Sequence, residues 1–133
     1  MIVIDASAAF DSVVGRDPDD RIAARLAEAD ELAAPHVIDI EVLHVLRRFV
    51  HAKRLTADRA SDALDDFADL ELTRYPHEPL IDRIWEFRDD LSAYDASYLA
   101  LAEAISIPLL TRDARLAAVA ERTVAVELFA PSD

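Results

Sequence analysis

Three observations on the sequence predict an α/β fold in three layers, with helices on both faces of a mainly parallel sheet of four or five strands. Short strand-like runs, most of them apolar, recur at residues 2–4, 32–36, 71–75, 107–111 and 124–128. Helix-forming segments separate them, as the crossovers between parallel strands require. The opening run, Ile2, Val3 and Ile4, shows no polar alternation, which is the composition of a central strand covered on both faces.

Taken in order, the first strand ends at Asp5, and residues 6–14 can form a helix stopped by Gly15 and the Asp17-Pro18 pair. Asp17 or a neighbour then caps an Ala-rich helix over 19–29, with Arg21, Arg25 and Glu28 on its wet side. The second strand, 32–36, is shortened or edged by Pro35. A helix over 39–52 follows, in which Ile40, Val42, Leu43, Leu46, Phe49 and Val50 form a broad apolar surface. Residues 56–70 make a further helix, with Ala60, Leu64, Phe67 and Ala68 on its core-facing stripe. The third strand, 71–75, is ended by Pro76. Pro79 suits the first turn of a helix reaching Asp90, to which Leu80, Ile84, Trp85 and Phe87 bring apolar bulk. A helix over 94–104, a strand over 107–111, a short helix over 113–120 and a last strand over 124–128 complete the series.

A length of 133 residues with 53% hydrophobic content suits one domain, spanning 1–133, with a substantial core. The formal charge of -13, from 27 acids against 14 Lys and Arg, argues against a broad basic face gripping nucleic acid, though it permits a local basic rim around an acidic centre. Without cysteine there is no disulfide, thiolate metal site or cysteine nucleophile. The opening MIVIDAS has no basic region, and no 18-residue window lacks charge, so a cytoplasmic protein without a membrane span is expected.

Four acids carry the functional reading: Asp5 and Asp113 just after strands, Glu41 early in a helix, and Asp95 at the start of another. In parallel sheets sites form outside the carboxyl ends of strands, so Asp5 and Asp113 reach one edge, and Glu41 starts from the same side. Each residue also has a purely structural reading: Asp5, Asp95 and Asp113 as helix caps or first-turn acids, Glu41 as a solvated first-turn glutamate. Together the four would repel one another unless a cation sat between them. Carboxylate oxygens suit Mg²⁺ or Mn²⁺, which can activate water for in-line attack on phosphorus, with one ion or two.

Ser7 and Thr111 stand beside Asp5 and Asp113 as candidate hydrogen-bonding support. His44, three positions beyond Glu41, can approach it on one helix face, in packing or support rather than as a ligand. Arg112, Arg47 and Arg48 are candidate phosphate contacts, with solvated surface charge as the alternative. The lone Gly15 removes glycine-rich phosphate loops and the G-x-S-x-G elbow, and His36, His44, His51 and His77 form no H-E-x-x-H series.

The stretches Ile2-Val3-Ile4-Asp5-Ala6-Ser7-Ala8, Pro35 followed by Glu41-Val42-Leu43-His44-Val45-Leu46-Arg47-Arg48, Leu91-Ser92-Ala93-Tyr94-Asp95-Ala96 and Pro108-Leu109-Leu110-Thr111-Arg112-Asp113 resemble PIN-domain ribonucleases, and closely the VapC-type toxins of toxin–antitoxin pairs. That resemblance implies a PIN-like α/β/α domain with Asp5, Glu41, Asp95 and Asp113 as a Mg²⁺ or Mn²⁺ pocket and Ser7 and Thr111 as polar neighbours. Where His44 stands the family commonly has Asn. The resemblance further implies an endoribonuclease acting on structured cellular RNA such as tRNA or rRNA. It implies a homodimer, a VapB-like antitoxin that forms a hetero-oligomer with the toxin, and promoter DNA bound only through that antitoxin. Apolar parts of the 39–52 and 56–70 helices are the candidate dimer surface, with the monomer core as their other use. Two other functions stay open: a metal phosphohydrolase acting on a substrate other than RNA, and a catalytically silent interaction domain.

Overall fold

Ile2, Val3 and Ile4 are wholly buried because they form the middle strand of the sheet in this computed structural model, which describes residues 1–14 and 21–131. In chain order the elements are β1 (Ile2–Ile4), α1 (Ala6–Val14), α2 (Arg21–Glu28), β2 (Leu32–Pro35), α3 (Val37–His51), α4 (Ala57–Asp69) and β3 (Leu72–Tyr75). A 3₁₀ turn (Glu78–Leu80) then leads into α5 (Ile81–Glu86), α6 (Ala93–Ile105), β4 (Leu109–Thr111), α7 (Ala114–Ala120) and β5 (Val126–Leu128). The expected helix stop at Gly15 and Asp17-Pro18, and the start of the helix expected from residue 19, lie outside the described residues.

All five strands are parallel, in the order β3-β2-β1-β4-β5. The chain builds outward from β1 through β2 to β3, then returns to the other side of β1 for β4 and β5. Strand order therefore reverses between β1 and β4, and a crevice forms where the chain leaves their carboxyl ends toward opposite faces of the sheet, into α1 and α7. Val3 pairs with both Ala33 and Leu109, so Asp5 and the residues after Thr111 emerge side by side.

Helix α1 packs on α2, α3 and α4 on one face of the sheet, while α6 crosses β1, β2 and β4 on the other, beside α5 and with α7 against β4 and β5. This is the three-layer arrangement expected. On α3, Ile38, Val42 and Leu46 recur at intervals of one turn and are buried. On α4, Ala60, Ala63 and Phe67 do the same. Much of α6 is buried on every side, from Ala96 to Ala102 without a break, as a helix sandwiched between the sheet and α5 must be.

Several expectations are corrected. Pro35 does not mark an edge, since β2 lies between β1 and β3; it pairs with Tyr75 at the last position of the strand, beyond the stretch paired with β1. The helix expected over 79–90 is divided: α5 ends at Glu86, and hydrogen-bonded turns carry the chain through Asp89 and Asp90. Two adjacent acids at a helix carboxyl end oppose its dipole, which favours an earlier stop. Trp85 contributes little to the core, being 66% exposed under the Arg88 guanidinium, while Leu80, Phe87 and Leu91 are buried. The apolar surface of α3 is also wider than the core uses: Ile40 is 65% exposed and Leu43 is exposed beside it. Arg25, expected on a wet face, makes a two-pronged bond with Glu127 of β5 at 2.7 and 2.9 Å.

Candidate active site

Asp5 leaves β1 at the crevice and is only 4% exposed. A buried carboxylate needs donors, and three are supplied. The Ser7 hydroxyl donates to Oδ1 at 2.7 Å, the Ala8 amide to the same oxygen at 2.9 Å, and the Thr111 hydroxyl to Oδ2 at 2.5 Å. Thr111 ends β4, is wholly buried, and accepts from the Asp113 amide at 2.9 Å. The Arg112 amide in turn donates to the Ser7 hydroxyl at 3.1 Å. The ends of β1 and β4 are thus stitched together through the side chains of Ser7 and Thr111, both of which donate to Asp5.

Asp113 is the N-cap of α7: its Oδ1 accepts from the amides of Arg115 and Leu116 at 2.8 and 3.2 Å. Asp5 caps α1 through Ala8. For both residues the capping and cavity readings coincide, because a cap fixes one carboxylate oxygen and leaves the group at the mouth of the crevice. Asp95 lies in the first turn of α6, whose N-cap Ser92 accepts from the Asp95 amide at 3.1 Å. Glu41 is on α3, and its Oε1 accepts from the Tyr98 hydroxyl at 2.7 Å. Tyr98 is one turn beyond Asp95 and 1% exposed, so α6 supplies one acid directly and orients a second.

All four acids line one cavity of about 640 Å³. Ser7, Asp11, Arg54, Tyr98 and Arg112 add polar groups to its wall, and Phe10, Val45 and Phe49 an apolar side. His44 is on the exposed side of α3 and is not part of the lining; Arg47 and Arg48 are exposed on the same helix. Arg112 does reach the cavity, where its Nη1 donates to the Asp11 carboxylate while its Nε is buried without a hydrogen-bond partner among the described residues.

Electrostatics favours a cation here. Burial pushes the Asp5 carboxyl above its ordinary range, against the pull of Thr111, Ser7 and the Ala8 amide, and the Asp95 charge adds to the rise. Glu41 is raised by burial first and by Asp95 and Asp5 after it, with the Tyr98 hydroxyl opposing. Asp95 is raised by burial and then by Asp113, with Arg115 and Ser92 opposing. The Tyr98 phenol is itself held far above its ordinary value by burial and by Glu41.

A hard divalent ion fits the four carboxylates, which offer only oxygen, with no His or Cys in the lining among the described residues. Among the described residues no three acidic, His or Cys side chains stand close enough to close around an ion as they are placed. Asp5 is tied at both oxygens, while Glu41 and Asp95 are only half-buried.

Sequence reasoning missed Tyr98, Asp11 and Arg54. Tyr98 carried one signal, its spacing of three from Asp95, but in an apolar helix it reads as core. Asp11 and Arg54 carried none, since their place depends on contacts distant in sequence.

The PIN domain family model matches residues 2–122. Ribonuclease VapC9 of Mycobacterium tuberculosis is 47% identical over 116 residues, covering 87% of this chain and 88% of the relative. Among solved structures, PAE2754 from Pyrobaculum aerophilum superposes with a TM-score of 0.73 at 22% identity, covering 94% of this chain and 82% of that one. VapBC2 from Rickettsia felis, bound to a DNA fragment from its promoter, gives 0.69 at 14% identity, covering 97% and 99%. These matches join the parallel sheet and the acids at its switch point in one conclusion: the chain belongs to the PIN-domain family, among its VapC-type toxins.

Proposed function

We propose that this protein, as one PIN domain over residues 1–133, is a Mg²⁺- or Mn²⁺-dependent endoribonuclease that hydrolyses phosphodiester bonds in structured cellular RNA such as tRNA or rRNA. The observation that carries the reading is the convergence of Asp5, Glu41, Asp95 and Asp113 on one cavity, where burial and mutual repulsion raise three of them. The four acids are the groups that would hold the ion. When bound, it supplies Lewis acidity, activating water and neutralising charge at the phosphoryl oxygens.

The chain's own residues prepare that chemistry. Thr111, Ser7 and the Ala8 amide fix the Asp5 carboxylate in one orientation, so no reorganisation is needed at that acid. Tyr98 aims Glu41 across from α6 to α3, and the α7 cap presents Asp113. Arg112, beside Asp113 and tethered by Asp11, is positioned to meet a phosphate oxygen with its remaining donors. His44 is assigned no part beyond the exposed surface of α3.

A VapB-like antitoxin is the proposed partner in a toxin–antitoxin hetero-oligomer, with promoter DNA bound through the antitoxin. The complex with VapB, VapC and promoter DNA from Rickettsia felis supports this by fold likeness. A charge of -13 favours rapid encounter with a basic segment. A homodimer is supported by the exposed Ile40 and Leu43 on α3, whereas the main apolar residues of α4 are used inside the monomer. No helix among the described residues is long and apolar enough to cross a membrane, and a cytoplasmic location is proposed.

The test is cleavage of pooled cellular RNA by partner-free protein, with and without Mn²⁺, beside the Asp5→Asn variant, reading new ends by sequencing. A discrete set of ends that needs both the ion and Asp5 is expected. Turnover of a small phosphate ester with intact RNA would place the protein among other phosphohydrolases, and inactivity of folded, ion-loaded protein would leave an interaction role.

A further inference from the structure

Acids make up 27 of the 133 residues, yet none occurs between Glu41 and Asp58. Into that gap fall Arg47, Arg48, Lys53 and Arg54, four of the chain's 14 Lys and Arg, together with His51. The segment is the carboxyl-terminal half of α3 and the turn after it, and all five side chains are exposed. Among the described residues none of the four Lys and Arg has a carboxylate partner, in a protein whose Arg25, Arg74, Arg83 and Arg112 are all paired with acids.

Cations in the last turn of a helix are expected from its dipole, and Arg48 and His51 fit that explanation. Lys53 and Arg54 lie beyond the helix, and Arg54 is held in another way. Its guanidinium stacks 4.5 Å above the Phe49 ring, which packs against Phe10 at 4.8 Å between centroids. Arg54, Phe49 and Phe10 all line the acidic cavity, so the basic segment is continuous with the site. Arg54 also borders a second depression of about 370 Å³, shared with Lys53, Leu55 and Thr56. Stacking fixes the plane of a guanidinium and leaves its N–H edges free to take phosphate oxygens.

We infer that the end of α3, from Arg47 to Arg54, is a binding track for the phosphodiester backbone of single-stranded RNA, leading the strand over Arg54 into the acidic cavity. It rests on the proposed ribonuclease function and adds where the strand lies. An acidic cavity alone repels a polyanion; cations just outside it hold the flanking phosphates while the ion-binding acids meet the scissile one.

The test is fluorescence anisotropy of a labelled single-stranded RNA, bound in chelator so that nothing is cut, over a range of salt. Three double variants are compared with the unaltered protein: Lys53→Gln with Arg54→Gln, Arg47→Gln with Arg48→Gln, and the control Arg88→Gln with Arg122→Gln, whose charges lie on the other side of the sheet. Each phosphate contact on single-stranded nucleic acid contributes about 0.7 to the salt slope, so losing two flattens it by about 1.4, a roughly sevenfold smaller loss of affinity between 50 and 200 mM salt. That flattening is expected in the first two variants and not in the control. Unchanged slopes in both, with melting temperatures showing folded protein and RNA cleavage intact, would overturn the track while leaving the ribonuclease reading standing. Loss of binding to a polyglutamate peptide with RNA binding unchanged would overturn it in favour of a protein-docking surface. An unaltered protein that neither binds nor cleaves RNA would remove both.

Discussion

Replacing Tyr98 with Phe tests whether α6 orients Glu41. The ring is 1% exposed and its volume is retained, so no core cavity forms and the change isolates the hydroxyl. That hydroxyl donates at 2.7 Å to the Glu41 carboxylate. A hydrogen bond to a charged group contributes about 1.5–3 kcal/mol, but Glu41 is only half-buried and water can replace part of what is lost, which brings the expected cost to about 1–1.5 kcal/mol. For a chain of 133 residues with an unfolding entropy of about 2.1 cal/mol/K per residue, that is a fall in Tm of about 4–5 °C. The loss also has a pH signature. Glu41 is raised in the folded state, so its ionised form disfavours folding; the penalty is absent below its unfolded pKa and grows as pH rises through the folded value. Removing the hydroxyl that opposes the rise enlarges the penalty where Glu41 is ionised. Urea denaturation of ion-free protein at pH 7 and pH 4 should therefore show the larger loss at pH 7. Equal stability of the two proteins at pH 7, or a larger loss at pH 4, would refute the role given to Tyr98.

Other consequences follow from the same geometry. Asp5→Asn removes a buried charge that disfavours folding above its unfolded pKa, so ion-free Asp5→Asn should melt no lower than the unaltered protein at pH 7, lose that advantage near pH 3.5, and cleave no RNA; a clear destabilisation at pH 7 would contradict the burial penalty on the Asp5 charge. Adding Mn²⁺ should raise Tm more at pH 7.5 than at pH 5, because protons compete for the raised carboxyls of Asp5, Glu41 and Asp95; a pH-independent shift in differential scanning fluorimetry would speak against binding there. Thr111→Val keeps the side-chain shape but strips Asp5 of its shortest bond and leaves the Asp113 amide unsatisfied. It should cost about 1–3 kcal/mol in chemical denaturation and lower cleavage by tenfold or more, and near-normal values for both would remove Thr111 from the site.

What could be read from the sequence was whatever is decided by neighbours along the chain. Ile2, Val3 and Ile4 announce a covered strand by composition, and Asp5 and Asp113 are conspicuous because each follows an apolar run and begins a helix. Their meeting requires only that β1 and β4 be parallel neighbours, which the alternation of elements favours. Tyr98 was not legible as a site residue, since its bond to Glu41 spans 57 positions and depends on how α6 crosses the sheet toward α3. The Asp11 and Arg112 pair is separated by 101 positions, and one acid among 27 carries no mark of such a contact. Trp85 misled in the opposite direction: its size suggests the core, but α5 stops at Glu86 and leaves the ring outside under Arg88. The basic end of α3 was visible in part, as Arg47 and Arg48. That it runs on through Arg54 to the cavity wall became apparent only once Phe49 and Arg54 were placed there.

Anomalous diffraction from crystals of the protein grown with Mn²⁺ is the decisive test of the acid-lined cavity, because it locates the ion without relying on turnover. An anomalous peak is expected inside the acid-lined cavity, against Asp5 and at least two of Glu41, Asp95 and Asp113, with its loss in Asp5→Asn crystals. A cavity without a peak at saturating Mn²⁺, or a peak held elsewhere on the protein, would contradict the assignment of these four acids as a metal-dependent nuclease centre.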